Sequence, residues 1–170
     1  MKITLKSVLA CLSLALFGAA VGMFGLSFVD TKAVVLGNSS VKSFANGFEL
    51  AFKGSDLGLE SGDTLGTLFA FIFVALGVLA ALYGLFVALT AKKGKKGNKT
   101  AKLACAACTF AVCGVVPAIL LFLTLQTTGL NGSVSFGGLV GANTQLGVGA
   151  ILAAIFSLLG ACSLSVAELK

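Results

Sequence analysis

The stretch LGTLFAFIFVALGVLAALYGLFVALT, residues 65 to 90, contains no charged side chain and decides the fold. At about 1.5 Å per residue it forms a helix of roughly 39 Å, longer than the hydrocarbon core of a bilayer, about 30 Å thick. Similar runs free of charge occupy 7–29, 103–125 and 146–166. The sequence therefore predicts four membrane-spanning helices.

The composition excludes a water-soluble fold. Of the 170 residues, 58% are hydrophobic and 11% are charged, whereas soluble domains hold about 45–50% apolar and about 25% charged residues. The chain has no His and no Trp, and all 12 of its basic residues are Lys. These absences exclude His-ligated haem, His proton relays and Arg voltage sensors.

The lysines orient the chain. Nine of the 12 lie at the two termini or in the connector 91–102. Because lysine-rich segments stay in the cytoplasm, we expect a multi-pass plasma-membrane protein with both termini cytoplasmic and outer segments at 30–64 and 126–145.

The connector contains six lysines without interleaved aromatic residues: Lys92, Lys93, Lys95, Lys96, Lys99 and Lys102. We interpret them as an orientation signal that contacts anionic lipid headgroups and not nucleic acid.

The outer segments carry strand signals. Asn46-Gly47 is typical of a tight hairpin turn, and it separates Val41–Ala45 from Phe48–Lys53. Ala33–Leu36 and Ser133–Phe136 have the composition of further short strands. A lone hairpin is marginally stable in water. We therefore predict a small antiparallel sheet with three strands from the first outer segment and one from the second.

Small residues at helical spacing recur inside the spans. Gly18 and Gly22 form a Gly-x-x-x-Gly pair, and Gly77 with Ala81 repeats the spacing in the second span. Such pairs let helix backbones approach closely, either inside one bundle or between neighbouring subunits. The spacing does not choose between these interpretations. Pro117 lies inside the third span, where it predicts a kink.

The spans offer few groups for chemistry. None of the four runs contains an ionisable carboxylate or amine, so we predict no catalytic residue, no cofactor and no metal site. Asp56, Glu60 and Asp63 lack the ligand spacing of a calcium loop, which favours a solvated acidic segment over a weak Ca²⁺ site. Cys105 and Cys108 form a C-x-x-C string. It is interpreted as small-residue packing, with a thiol redox pair as the alternative.

This layout resembles the claudin and peripheral-myelin-protein superfamily of four-span proteins. The shared features are four spans with cytoplasmic ends, a strand-bearing first outer segment, a short second one and Pro117 in the third span. Gly25-Leu26-Ser27-Phe28 stands roughly where that family has Gly-Leu-Trp, although this chain has no Trp and no outer cysteine pair. The resemblance implies a claudin-like, non-enzymatic protein whose outer sheet mediates contacts between neighbours.

We therefore expect a membrane all-α four-helix bundle with a small extracellular antiparallel β-sheet. It is expected to act as a homo-oligomeric structural or adhesion component that associates laterally or across surfaces. The alternatives are an oligomeric, holin-like pore and a membrane redox protein that uses Cys105 and Cys108. The candidate self-association residues lie on the predicted sheet and on the first span: Phe44, Phe48, Phe52, Phe136, Gly18 and Gly22.

Overall fold

A computed structural model describes residues 4–35, 38–53, 61–90, 99–127, 134–136 and 140–169 of the chain. Side chains are described in 4–30, 45–53, 65–90, 99–122 and 147–169. The elements follow one another as α1 (Leu5–Met23), β1 (Ser27–Val35), β2 (Asn38–Asn46), α2 (Gly47–Lys53), α3 (Ser61–Thr90), α4 (Lys99–Phe110), a π-helical turn (Ala111–Val115), α5 (Val116–Thr127), β3 (Val134–Phe136), β4 (Val140–Leu146) and α6 (Val148–Leu169).

Four of these helical segments are long and apolar enough to cross a membrane, which confirms that part of the prediction and is consistent with a multi-pass integral membrane protein. Their ranges are Leu5–Met23, Leu65–Thr90, Lys99–Phe122 and Val148–Leu169. The first helix ends at Met23, six residues before the predicted end at 29. The apolar run continues into strand β1, so the length of the run overestimated the length of the helix.

The predicted small antiparallel sheet is present, but its strands come from different places. Its order is β2-β1-β4-β3, so each outer segment contributes two strands. β1 pairs with β2 on one side and with β4 on the other. β4 was missed because Val140–Leu146 contains Gly, Ala and Asn, and only Val140 and Thr144 among its residues are β-branched.

The predicted strand Phe48–Lys53 is wrong, because this segment belongs to helix α2. The Asn46 side chain accepts a hydrogen bond from the Glu49 N–H at 2.9 Å, and the Asn46 N–H donates to Glu49 Oε2 at 3.1 Å. This reciprocal pair is a capping box, which starts a helix instead of closing a hairpin. Gly47 has no room for a side chain, since an added methyl group would lie 2.8 Å from the Phe28 ring.

The core of the bundle is organised around one aromatic ring. Phe17 of α1 is fully buried, and its ring lies between Gly77 of α3 and Gly160 of α6. A methyl group added to Gly77 would lie 2.5 Å from that ring, and one added to Gly160 would lie 3.2 Å from it. The ring therefore occupies the space that two glycines leave open on the facing helices, and it holds three helices together.

The third membrane segment changes its helical geometry ahead of Pro117. Proline lacks the N–H that would bond to the carbonyl four residues earlier. The turn Ala111–Val115 is π-helical, and the Val116 N–H donates to the Ala111 carbonyl. The two halves then contact different neighbours: α5 packs against α3, whereas α4 packs mainly against α6.

Hydroxyl groups tie the end of α6 to its neighbours. Ser163 donates to the Leu9 carbonyl of α1 at 3.0 Å, and Ser165 donates to the Ala106 carbonyl of α4 at 2.9 Å. Interhelical hydrogen bonds of this kind contribute about 0.6 kcal/mol each on average in membranes. They fix the position of α6 relative to α1 and α4 at the end of the bundle opposite the sheet.

Candidate functional site

The outward face of α1 carries almost no side-chain volume at the level of its second half. Ala15, Gly18 and Gly22 of α1 and Gly25, two residues past the end of α1, are all exposed, and we call this set the α1 glycine face. The outward faces of α3 and α6 instead carry large side chains, such as Leu76 and Leu79 on α3 or Ile151, Ile155 and Leu159 on α6. Large apolar side chains suit contact with lipid tails, whereas small ones suit contact with another helix.

Gly18 and Gly22 have different surroundings from Gly77. A methyl group added to Gly18 or Gly22 would meet no atom within 4 Å outside its own helix. Gly77 contacts the Phe17 ring, and Gly114 would bring a methyl group to 2.8 Å from Ala161 Cβ. The interpretation as packing inside the bundle therefore holds for Gly77 but not for Gly18 and Gly22, which stay open to a neighbour.

A groove of about 440 Å³ lies beside the α1 glycine face. Its walls are Gly18 and Val21 of α1 and Phe71, Ala75, Val78 and Leu79 of α3. The missing side chain of Gly18 leaves this hollow between the two helices. The groove is entirely apolar in its lining, so it fits a lipid tail or an apolar helix and offers no polar group to a soluble ligand.

The predicted contact residues of α2 join this surface through one ring. Phe48 and Phe52 stand one helical turn apart, and both pack edge-on against Phe71, with ring centroids 5.6 and 5.7 Å away. Phe71 also lines the groove. Phe52 remains 61% exposed. The Gly and Phe candidates, which are 26 residues or more apart in sequence, thus form one continuous surface on the α1–α3 side.

The remaining candidates on the sheet are described by backbone alone. Phe44 lies in β2 where the register with β1 shifts between Val29 and Asp30, which leaves it as an extra residue of a β-bulge. Phe136 pairs with Val140 in β3 and β4. Their side chains lie outside the described part, so their place in the contact surface stays a prediction.

A second hollow, of about 330 Å³, lies at the end of the bundle away from the sheet. Its polar groups come from the start of α1, the late part of α3, the start of α4 and the end of α6: Lys6, Tyr83, Lys102, Cys105 and Glu168. Its walls are apolar: Ala10, Ala80, Gly84, Val87, Leu164 and Ala167. Of the two predicted headgroup-contacting lysines that the structure describes, Lys102 lines it and Lys99 does not.

The other connector residues have different outcomes. Lys99 is exposed at the first residue of α4. The remaining connector lysines lie outside the described residues: Lys92, Lys93, Lys95 and Lys96. The same holds for Asp56 and Glu60 of the acidic segment, and the side chain of Asp63 is not described either. Among the described residues, no group of three His, Cys, Asp or Glu side chains is placed to hold a metal ion.

The cysteines are all free thiols. Cys105 and Cys108 are both exposed on α4, and Cys113 is buried. Cys105 lines the hollow with Glu168, and the nearby Thr109 hydroxyl donates to the Glu168 carboxylate at 3.2 Å. Cys108 is not part of that lining.

Sequence reasoning missed Phe71, which connects the two halves of the candidate surface. Its run contains Phe69, Phe71 and Phe73, and no spacing distinguishes the ring that faces α2 from its neighbours. It also missed Phe17, Phe24 and Phe28, whose rings fill the core. No spacing in the sequence distinguished these three rings from the other apolar residues around them.

Comparison with protein-family models and with curated proteins gives no match for this chain.

Proposed function

We propose that this chain is a non-enzymatic structural protein of a membrane that associates with copies of itself through the α1 glycine face. The single observation that supports this most directly is the open space around Gly18 and Gly22, where an added methyl group would meet no atom within 4 Å. Glycine in a membrane helix allows a second backbone to approach closely, and contact of backbones is what drives helix pairing in lipid.

We take a second copy of the chain as the partner because one surface carries both a flat face and a ridge beside it. A twofold contact places the same patch on both subunits. Here each subunit would present a flat α1 face from Ala15 to Gly25 beside a ridge made by Leu79 and the Phe52 ring. The exposed ring of one subunit would cover the groove of the other, while the two α1 helices cross near Gly18 and Gly22.

The sheet supplies the outward part of the proposal. β2 pairs with β1 on one side only, so its other edge presents unpaired backbone groups among the described strands. The layout resembles that of claudin-like proteins, and we propose the same kind of contact between apposed surfaces. Vesicles that carry the protein are then expected to cluster, as measured by light scattering, and protease removal of the outer segments should reverse this clustering.

Association in the membrane is tested by substituting both glycines. The variant with Gly18→Leu and Gly22→Leu should lose self-association by a factor of about ten or more, equivalent to roughly 1.4 kcal/mol. The added side chains enter open space in the isolated subunit, so its fold should persist. The measurement is energy transfer between labelled copies in vesicles while the ratio of lipid to protein is raised.

Ala107→Leu is the matched control. Ala107 is exposed on α4, so this change adds similar bulk to a small-residue position on a different face. The control should associate like the wild type. Association that survives the glycine double variant, or that Ala107→Leu removes instead, would contradict the assigned face. Conductance of the reconstituted protein would instead favour the oligomeric pore.

A further inference from the structure

We propose that the hollow at the end of the bundle away from the sheet binds one phospholipid with an anionic headgroup. Its phosphate would lie between Lys6 and Lys102, and its upper acyl chain would lie against the apolar wall. This inference is independent of self-association, since the hollow and the α1 glycine face involve different residues and opposite ends of α1.

The hollow exists because α4 diverges from α3. The π-helical turn before Pro117 lets α5 pack against α3 while α4 packs mainly against α6. The late residues of α3, Tyr83 and Val87, therefore face Cys105 of α4 across a gap instead of touching it directly. A gap between two membrane helices is open sideways to the lipid, so an amphiphile can enter it from the bilayer.

The charges around the hollow favour an anion. Two amines, Lys6 and Lys102, face one carboxylate, Glu168, which leaves a net charge of 2 − 1 = +1. Two helix N-termini and two helix C-termini meet at this end, so the helix dipoles largely cancel. The charged side chains therefore determine the sign of the electrostatic potential in the hollow. Neither amine forms an ion pair with another described residue. Basic pockets between membrane helices are known to hold anionic headgroups.

The size and position of the hollow match a headgroup with the beginning of a chain. Its volume of about 330 Å³ lies at the lower end of the roughly 300–1,000 Å³ range of small-molecule pockets. The apolar wall formed by Gly84 and Leu164 lies deeper in the bundle than the amines. Tyr83 is 71% exposed at the rim, and tyrosine favours the headgroup level of a bilayer.

Tyr83 makes the site directly observable. The chain contains one Tyr and no Trp, so tyrosine emission reports on this hollow alone. We would reconstitute the full chain in phosphatidylcholine vesicles and add phosphatidylglycerol that carries a nitroxide near the carbonyl end of its chain. Nitroxide phosphatidylglycerol should quench Tyr83 at a mole fraction several-fold lower than nitroxide phosphatidylcholine does.

Variants separate the site from general surface charge. Lys6→Gln combined with Lys102→Gln should abolish the preference, whereas Lys99→Gln, which removes an exposed lysine outside the hollow, should retain it. Glu168→Gln should strengthen the preference by removing the opposing charge. Circular dichroism of each variant verifies the helix content, and because Lys6→Gln and Lys102→Gln keep an unbranched polar side chain at the edge of the bundle, a folded variant is expected.

Several results would overturn the inference. Equal quenching by the two headgroups in the wild type would show that no anion site exists. An equal loss with Lys99→Gln would indicate diffuse attraction. A weaker preference with Glu168→Gln would show that the balance of charge around the hollow does not set the preference. Displacement of the labelled lipid by millimolar sodium phosphate alone would show that the acyl chain contributes nothing.

Discussion

Replacing Phe17 with alanine is expected to destabilise the bundle by about 2–3 kcal/mol. The ring is fully buried and fills the space between Gly77 and Gly160, neither of which has a side chain that could fill the cavity left behind. Comparable truncations in soluble cores cost roughly 3–5 kcal/mol. A smaller value is expected here because helices separated in lipid are still in apolar surroundings, so the loss is mainly of packing contacts.

The measurement is the fraction folded in mixed micelles as a denaturing detergent is added. Phe69→Ala is the matched control, since Phe69 is 49% exposed on α3 and its loss removes few contacts inside the protein. The control should unfold like the wild type. Equal destabilisation by both substitutions would show that Phe17 does not hold the three helices together.

Adding one methyl group opposite that ring is the second expected large effect. Gly77→Ala would place Cβ 2.5 Å from the buried Phe17 ring, closer than side chains approach one another. Overpacking of a rigid core costs typically about 1–3 kcal/mol. Gly18→Ala is the matched control, because it makes the same change where no atom lies within 4 Å. Its stability should equal or slightly exceed that of the wild type.

The two substitutions are expected to be coupled. Once Phe17→Ala has removed the ring, Gly77→Ala enters an empty space and should cost little or even restore some stability. The combined variant would then be more stable than the sum of the single effects predicts, by an interaction energy of about 1–3 kcal/mol. Simple additivity of the two changes would refute direct contact as the cause of the Gly77 effect.

The membrane helices could be predicted because they follow from one strong constraint. Backbone polar groups in lipid must pair within a helix, and charged side chains are costly there. The lengths of the charge-free runs therefore predicted the bounds of three of the four spans closely. It failed at the end of the first, because Phe28 and Val29 are buried in the sheet and core and are as apolar as a helix in lipid.

The segment after β2 shows a limit of local patterns. Asn-Gly suits a tight turn, but Asn also caps helices, and the deciding residue is Glu49, three positions further on. Its carboxylate completes the capping box. Phe48 and Phe52 lie four residues apart, a spacing that places them on one face in a helix and in a strand alike, so their spacing did not distinguish the two structures.

The candidate surface could be predicted only in part. Gly18 with Gly22 and Gly77 with Ala81 have the same spacing, and nothing in the sequence says which pair faces inward. The answer depends on where the Phe17 ring points, which is a property of the assembled bundle. The hollow between α3 and α4 was likewise invisible, because it joins residues from four helices.

The connection between α1 and β1 has a mechanical consequence. Only residues 24–26 separate the two elements. Two backbone hydrogen bonds hold this connection: the Phe48 N–H donates to the Phe24 carbonyl, and the Gly147 N–H donates to the Phe28 carbonyl. The connection is therefore short and fixed by hydrogen bonds at both of its ends. A change in the tilt of α1 in the bilayer is therefore expected to move strands β1 and β2 with it.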